Sequence, residues 1–388
     1  MPIVNRVADI LPEVIAWRRD LHAHPELGFD VHRTSTFVVE RLREFGCDQV
    51  VSGVGKTGVV GVITGRPGNG KSRTVGLRAD MDALPIEEMT GRPYSSKHEG
   101  LMHACGHDGH TAMLLAAARY LAETRNFAGN AVLIFQPAEE IGAGAAAMLE
   151  DGLMDRFEID QVYGMHTLPG LPVGAFGIRR GPVMAATDTI DVRIEGRGGH
   201  PGLPHQCIDS ILVGAQLILA LQQILAQNIN PFDSAAISFN EFQAGSTHRV
   251  IAQTAEMHGS IRTLTPEVRE FVIKRIREVA EGVSRVTDAK IDLDIQAADA
   301  VVFNQDVQTE FAIKAATDVA GEANVIETPP MLGGEDFSFM ARARPGAFVW
   351  CGNGDSAGLH HATYDFSDEA IQFGTSYWIK LVENTLAA

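Results

Sequence analysis

Eight residues, His103-Ala-Cys105-Gly-His107-Asp108-Gly-His110, carry five side chains able to bind a metal ion or move a proton. Residues two apart do not share a helix face, so Cys105 and His107 can aim at one ion only from a loop placed ahead of a helix. In that position the amides and dipole of the helix N-terminus favour the thiolate, the metal-binding form of Cys105. The same residues also suit a thiol enzyme, with Cys105 as nucleophile and His107 or His110 as its base. Further carboxylates and imidazoles stand in Asp80-Met-Asp82, Phe135-Gln-Pro-Ala-Glu139-Glu140, Tyr163-Gly-Met-His166 and Leu359-His360-His361. Each has a plain explanation alone, Glu139-Glu140 as a solvated helix start and His166 as a satisfied core histidine. Together they need several coincidences.

The elements around these residues predict how they meet. Ile10, Val14, Trp17 and Leu21 fall on one helical face, and a second helix carries Phe37, Val38, Leu42 and Phe45 before Gly46. Apolar strands are expected at 59–63, 74–78, 131–135 and 161–165, with a nearly all-apolar helix at 112–121 between them. This alternation argues for an α/β architecture with a largely parallel sheet. In such sheets the ligand crevice lies beyond the carboxyl ends of the strands, where Asp80, Asp82, Glu139, Glu140 and His166 are expected. After Met184 the pattern changes. Residues 189–195 alternate apolar and polar, and the order of elements to residue 295 reads β-α-β-β-α-β, a ferredoxin-like unit. The expected division is a catalytic domain of 1–186 and 298–388 with an inserted α+β domain of 187–297.

Length and composition exclude other classes. At 388 residues, with 45% apolar and 21% charged side chains, the chain has room for two or three compact domains. Its net charge of −17 repels phosphate backbones and anionic lipid, so neither nucleic acid nor a membrane surface is an expected partner. The most apolar segment, 208–226, is interrupted by Asp209 and three glutamines and is expected to fall short of a membrane span. No secretory pattern opens the sequence, and Cys47, Cys105, Cys207 and Cys351 form no Cys-x-x-Cys pair. The expected compartment is the cytoplasm.

Taken in order, the segments resemble the metal-dependent amidohydrolases that include hippurate hydrolases, aminoacylases and indole-acetyl-amino-acid hydrolases, within the M20 peptidase group. The resemblance rests on His24-Pro-Glu26-Leu-Gly-Phe29, Leu77-Arg-Ala-Asp80-Met-Asp82-Ala-Leu-Pro85, the 103–110 cluster, Phe135-Gln-Pro-Ala-Glu139-Glu140, Gly164-Met-His166, Gly198-Gly-His200, Gly334-Glu335-Asp336-Phe337, and Leu359-His360 followed by Tyr364-Asp-Phe366. It implies a metallopeptidase-like catalytic domain with a mostly parallel sheet and an inserted lid and dimerisation domain. It also implies two divalent ions held by Cys105, His107, Glu140, His166 and His360, with zinc or manganese first and cobalt or nickel accommodated. Glu139 would be the general base, His200 a polarising donor often supplied by the neighbouring subunit, and Asp82 a residue that orients a ligand. Arg262 and Glu335 are candidate substrate or supporting residues.

The activity implied is hydrolysis of N-acyl or N-aroyl amino acids to a carboxylic acid and a free amino acid, by a homodimer or a dimer of dimers. A dipeptidase or carboxypeptidase on the same machinery is the neighbouring reading, and a non-catalytic dimer that binds metal or an amino acid is the more distant one. Departures from the family pattern lie in the lid, where Gln227 precedes Asn228-Ile-Asn230-Pro231 and the chain reads Arg249-Val-Ile-Ala252. A gained Arg249 could replace the cation lost at 227.

Overall fold

A computed structural model describes residues 4–68 and 73–387, and the chain divides into two compact units. The first comprises residues up to Gly181, Phe303–Pro329 and the chain from Asp336 onward; the second is Pro182–Val302 with the short return segment Pro330–Glu335. The fold is mixed α/β.

The first unit is built on an eight-stranded sheet. Across it run Gln49–Val54, Gly58–Thr64, Asn130–Gln136, Thr74–Asp80, Gln161–Leu168, Gly346–Gly352, Phe176–Gly177 and Val325–Ile326. The four central strands are parallel to one another, and antiparallel pairs lie on both sides of them. Central strands covered on both faces should read as unbroken apolar runs, and Ala131–Phe135 and Ala347–Cys351 are buried throughout. The helix His107–Thr124 is buried from His107 to Ala118, and the helices Asn5–His22 and Ala370–Thr385 pack on it. The predicted face Ile10, Val14, Trp17 and Leu21 is the buried one.

Charged and imidazole side chains in these central strands lie toward their carboxyl ends. Asp80 closes its strand opposite Gln136, which closes the next. His166, expected just past a strand end, lies inside the strand Gln161–Leu168, opposite Trp350. The strand extends farther than its apolar run because its neighbour continues the ladder to Gly352. Gly106, just before the buried helix, takes φ +89, which favours glycine, and a Cβ there would lie 2.6 Å from Tyr364 Oη. This bend separates Cys105 from the helix that begins at His107.

The second unit has a four-stranded antiparallel sheet in the order Lys290–Asp299, Ala186–Glu195, Thr254–Thr263, Ala235–Ala244. Ile190, Val192 and Ile194 form the buried side of the alternation. They share a core with Val213, Leu217, Leu221 and Ile224 of the helix Ser210–Gln227 and with Val272 and Ile276 of the helix Pro266–Thr287. Asp209 caps the first helix by accepting from Ile211 N, and Thr265 caps the second by accepting from Val268 N. With no charged residue over its 18 residues and a mean hydropathy of 1.5, Ser210–Gln227 is long and apolar enough by length and composition to cross a membrane, contrary to the sequence expectation. Its glutamines are polar but uncharged, so they lower the hydropathy only modestly. In this fold one face of the helix covers the sheet.

Candidate metal centre

Within the first unit the residues expected to bind metal come together. Cys105 is buried, and its Sγ lies 3.3 Å from His166 Nε2. Cys105, Glu140 and His360 each offer an atom within 4.8 Å of the others, as do His107, Glu139 and Glu140. Glu140 stands between two imidazoles, with Oε1 3.8 Å from His107 Nε2 and Oε2 3.4 Å from His360 Nε2. Glu139 Oε2 is 3.9 Å from His107 Nε2. His361 turns elsewhere, pairing its Nδ1 with Thr363 Oγ1 at 2.8 Å.

The outer nitrogens of two histidines are fixed. His107 Nδ1 lies 2.8 Å from the carbonyl oxygen of Asp82, and His166 Nδ1 lies 2.7 Å from that of Thr167. A carbonyl oxygen can only accept, so each Nδ1 carries the proton and each Nε2 is left facing the cluster. His110 is different: Nδ1 donates to Asp80 at 2.6 Å while Nε2 accepts from Thr167 N at 3.0 Å. Both its ring nitrogens are engaged, which leaves no lone pair for an ion or for the Cys105 proton.

Asp82 is fully buried and fixes the two glutamates through the backbone. Its Oδ1 accepts from Glu139 N at 3.0 Å and its Oδ2 from Glu140 N at 3.2 Å. Gly142 N donates to Glu139 O at 2.7 Å, closing a turn over 139–142. Both carboxylates therefore sit on a tied turn.

The electrostatics show a site short of positive charge. Burial alone lowers the basicity of His107, but Asp80, the Asp82 hydrogen bond and Glu140 outweigh it and push its pKa up to about 10. Burial raises Glu140 to about 7. Cys105 was expected to be a thiolate at its helix N-terminus; instead burial first, then the charges of Glu140 and Glu139, drive its pKa well above the thiol's ordinary value. The helix dipole is worth about 0.3–1 kcal/mol at most surface sites, too little against neighbouring carboxylates and desolvation. The thiolate needs a cation beside it. His107 Nε2 and Glu140 Oε1 are buried with no hydrogen-bond partner, which is costly unless something electrophilic lies between them. A donor set of thiolate, imidazole and carboxylate suits a divalent transition metal, so the residues fit the ions the resemblance implies.

Sequence reasoning gave no role to the supports beneath this cluster. Arg78 is fully buried and pairs with Asp80 Oδ2 at 2.7 Å and with Asp336 Oδ1 at 3.0 Å. Asp336 also accepts from Gln136 Nε2 and, at 2.9 Å, from Ala145 N. Breaking such a pair on one side typically costs 3–5 kcal/mol, since the remaining charge stays buried. The signal was available: an arginine inside the otherwise apolar run Thr74–Ala79 must be paired. Behind the helix start, His22 Nδ1 lies 2.9 Å from Asp108 Oδ2, and Arg18 Nη1 lies 3.5 Å from the same oxygen.

The other three candidates belong to the second unit. His200 is exposed, and its Nδ1 accepts from Gly202 N at 3.1 Å. Arg262 donates to Leu332 O at 3.0 Å, tying the return segment to its strand. Glu335 is buried in that segment, and its charge, after burial, helps raise the Asp299 carboxyl.

A model of the peptidase family M20/M25/M40 matches residues 76–384. The chain is 39% identical over 382 residues to the hippurate hydrolase of Campylobacter jejuni, covering 98% of both chains. It is 41% identical over 360 residues to the N-acetyl-L-cysteine deacetylase of Bacillus subtilis, covering 92% of this chain and 85% of the relative. Among solved structures it matches a dinuclear metal-binding M20 peptidase from Bacillus subtilis with a TM-score of 0.86 and 34% identity, over 98% of this chain and 99% of that one. The chain thus belongs to peptidase family M20/M25/M40 and is a metallo-amidohydrolase of that family.

Proposed function

We propose that the chain hydrolyses the amide bond of N-acyl or N-aroyl amino acids, with two divalent ions held by Cys105, His107, Glu140, His166 and His360. The observation that carries this reading is the unpartnered buried pair His107 Nε2 and Glu140 Oε1, with Cys105 and His360 around Glu140 and the second carboxylate of Glu139 alongside. A hippurate hydrolase and an N-acetyl-L-cysteine deacetylase among the relatives support N-acylated amino acids as the substrate class. When bound, the metal supplies Lewis-acid polarisation of the carbonyl and brings a water's acidity towards neutrality.

The chain's own part is positioning and proton transfer. Glu139, fixed by Asp82 and the closed turn, takes the proton of the attacking water and delivers it to the nitrogen as the C–N bond breaks. Water's oxygen ends in the carboxylic acid and its hydrogens are shared between the two products. His200, in the second unit, is proposed to donate to the carbonyl oxygen as charge builds there. A homodimer through the second unit is part of the proposal. Its ten-residue strand Ala235–Ala244 is an open sheet edge, and the same unit exposes Leu212 and Leu219.

The direct test strips the protein of metal and assays N-benzoylglycine, N-acetylcysteine and a dipeptide after adding back zinc, manganese, cobalt or nickel. Acyl amino acid hydrolysis should vanish and return with an ion; activity in the stripped protein, or a clear preference for the dipeptide, would overturn the reading. Glu139→Gln should keep the metal and lower kcat by at least ~10²-fold, because general base catalysis contributes about 10²–10⁴. Near-normal turnover in the metal-loaded variant would remove Glu139 from this role. Asp82→Ala should weaken metal binding by about 10- to 100-fold with the fold retained, as expected for a residue that orients ligands. A metal titration that matches the unmodified protein would contradict it.

His200→Ala should cost roughly 10²–10³ in kcat without loss of metal. If His200 acts across a dimer, mixing His200→Ala with Glu139→Gln chains should restore activity in hybrids. Absence of recovery after verified subunit exchange would place any action of His200 within its own chain.

A further inference from the structure

The turn that carries Glu139 and Glu140 also carries a side chain without a part in the reaction. Ile141 is 63% exposed. Its backbone is held as firmly as that of its neighbours, by the bond that closes the turn from Gly142 N to Glu139 O and by the Asp82 carboxylate. Ala143 N and Gly144 N both return to Ala138 O, bracing the far side of the turn. Ile141 therefore stands in a fixed relation to the two carboxylates.

A second apolar side chain is tied to the other end of the cluster. Met89 N donates to Ala362 O at 2.8 Å, two residues beyond His360. Met89 is 71% exposed, and its loop is anchored through Glu88, which accepts from Ser96 N at 2.6 Å and lies 3.3 Å from His22 Nε2. Among the described residues of the first unit, Met89 and Ile141 are the two most exposed large apolar side chains. Scattered exposed apolar residues are ordinary. These two are distinguished by their places, one next to Glu140 and one braced against the chain that follows His360.

The two apolar side chains suit the uncharged half of an acyl amino acid. Their surroundings in sequence are Glu87, Glu88, Glu139 and Glu140, and the nearby cation Arg92 is paired with Asp365 at 2.8 Å. An uncharged apolar acyl group laid against the two side chains gains burial.

We propose that Ile141 and Met89 contact the acyl group of the substrate and favour a large apolar acyl group, such as benzoyl, over acetyl. The inference rests on the proposed acyl amino acid hydrolysis. Its test is kcat/KM for N-benzoylglycine and N-acetylglycine in the metal-loaded protein and in Ile141→Ala and Met89→Ala, with metal content measured for each. The benzoyl-to-acetyl ratio should fall on the order of 10-fold in Ile141→Ala, the range expected for lost methylenes in an apolar contact, and in the same direction in Met89→Ala. An unchanged ratio in both variants, or equal losses on both substrates, would overturn the inference alone. An unmodified protein that is fully loaded yet hydrolyses neither substrate would overturn the functional reading and this inference with it.

Discussion

The crowding of negative charge in a buried space is the constraint on which the rest of the first unit depends. Asp80, Asp82, Glu139 and Glu140 lie around one imidazole, His107, with the Cys105 thiol beside Glu140. Two unit charges 4 Å apart at an effective dielectric of 20 interact by about 4 kcal/mol, so several carboxylates cannot stay ionised here unaided. The chain answers in two ways. Asp80 and Asp336 share the buried Arg78, and Asp82 is spread over two backbone amides. At Glu140 the positive charge comes from His107, and a bound divalent ion would add to it.

This division explains why the supports are as specific as the ligands. Arg78 can sit inside a fully buried strand because Asp80 and Asp336 flank it, and Gln136 accepts from its Nε while donating to Asp336. Asp80 then has an oxygen free to hold His110, whose ring packs 4.5 Å from that of His166. Removing the arginine would leave two buried carboxylates without its positive charge directly beneath the site. The sheet, the ion pairs and the histidine orientations form one construction rather than a scaffold with a site added.

Much of this was legible in the sequence, and the residues show why. Apolar runs located the central strands because those strands are covered on both faces, and alternation at Ile190, Val192 and Ile194 separated the second sheet because one of its faces is wet. Cys105, His107, Glu140, His166 and His360 were identified by resemblance, and they do converge. What periodicity could not show was the extent of the strand Gln161–Leu168, which is set by pairing with Gly346–Gly352, or the return of Pro330–Glu335 to the second unit. Nor could it show that the Cys105 thiol is pushed up, because a helix dipole is local in sequence whereas burial, the larger cause, and the carboxylates of Glu139 and Glu140 are brought to it by the fold. Burial, with long-range electrostatics, overrode the local rule.

Under the proposed function, the adjacent glutamates would give one turn two chemical tasks. Successive side chains on a turn diverge, so two carboxylates joined by one peptide bond need not share an environment. Glu140 is directed between His107 and His360, and burial raises its pKa to about 7 against the opposing charge of His107. Glu139 lies with its Oε2 3.9 Å from His107 Nε2, and its amide is fixed by Asp82. A carboxylate committed to an ion cannot also shuttle a proton, and one free to shuttle must still be held within reach. Bracing both amides with the single carboxylate of Asp82 meets these requirements together, because it fixes the backbone and leaves each side chain to its own surroundings.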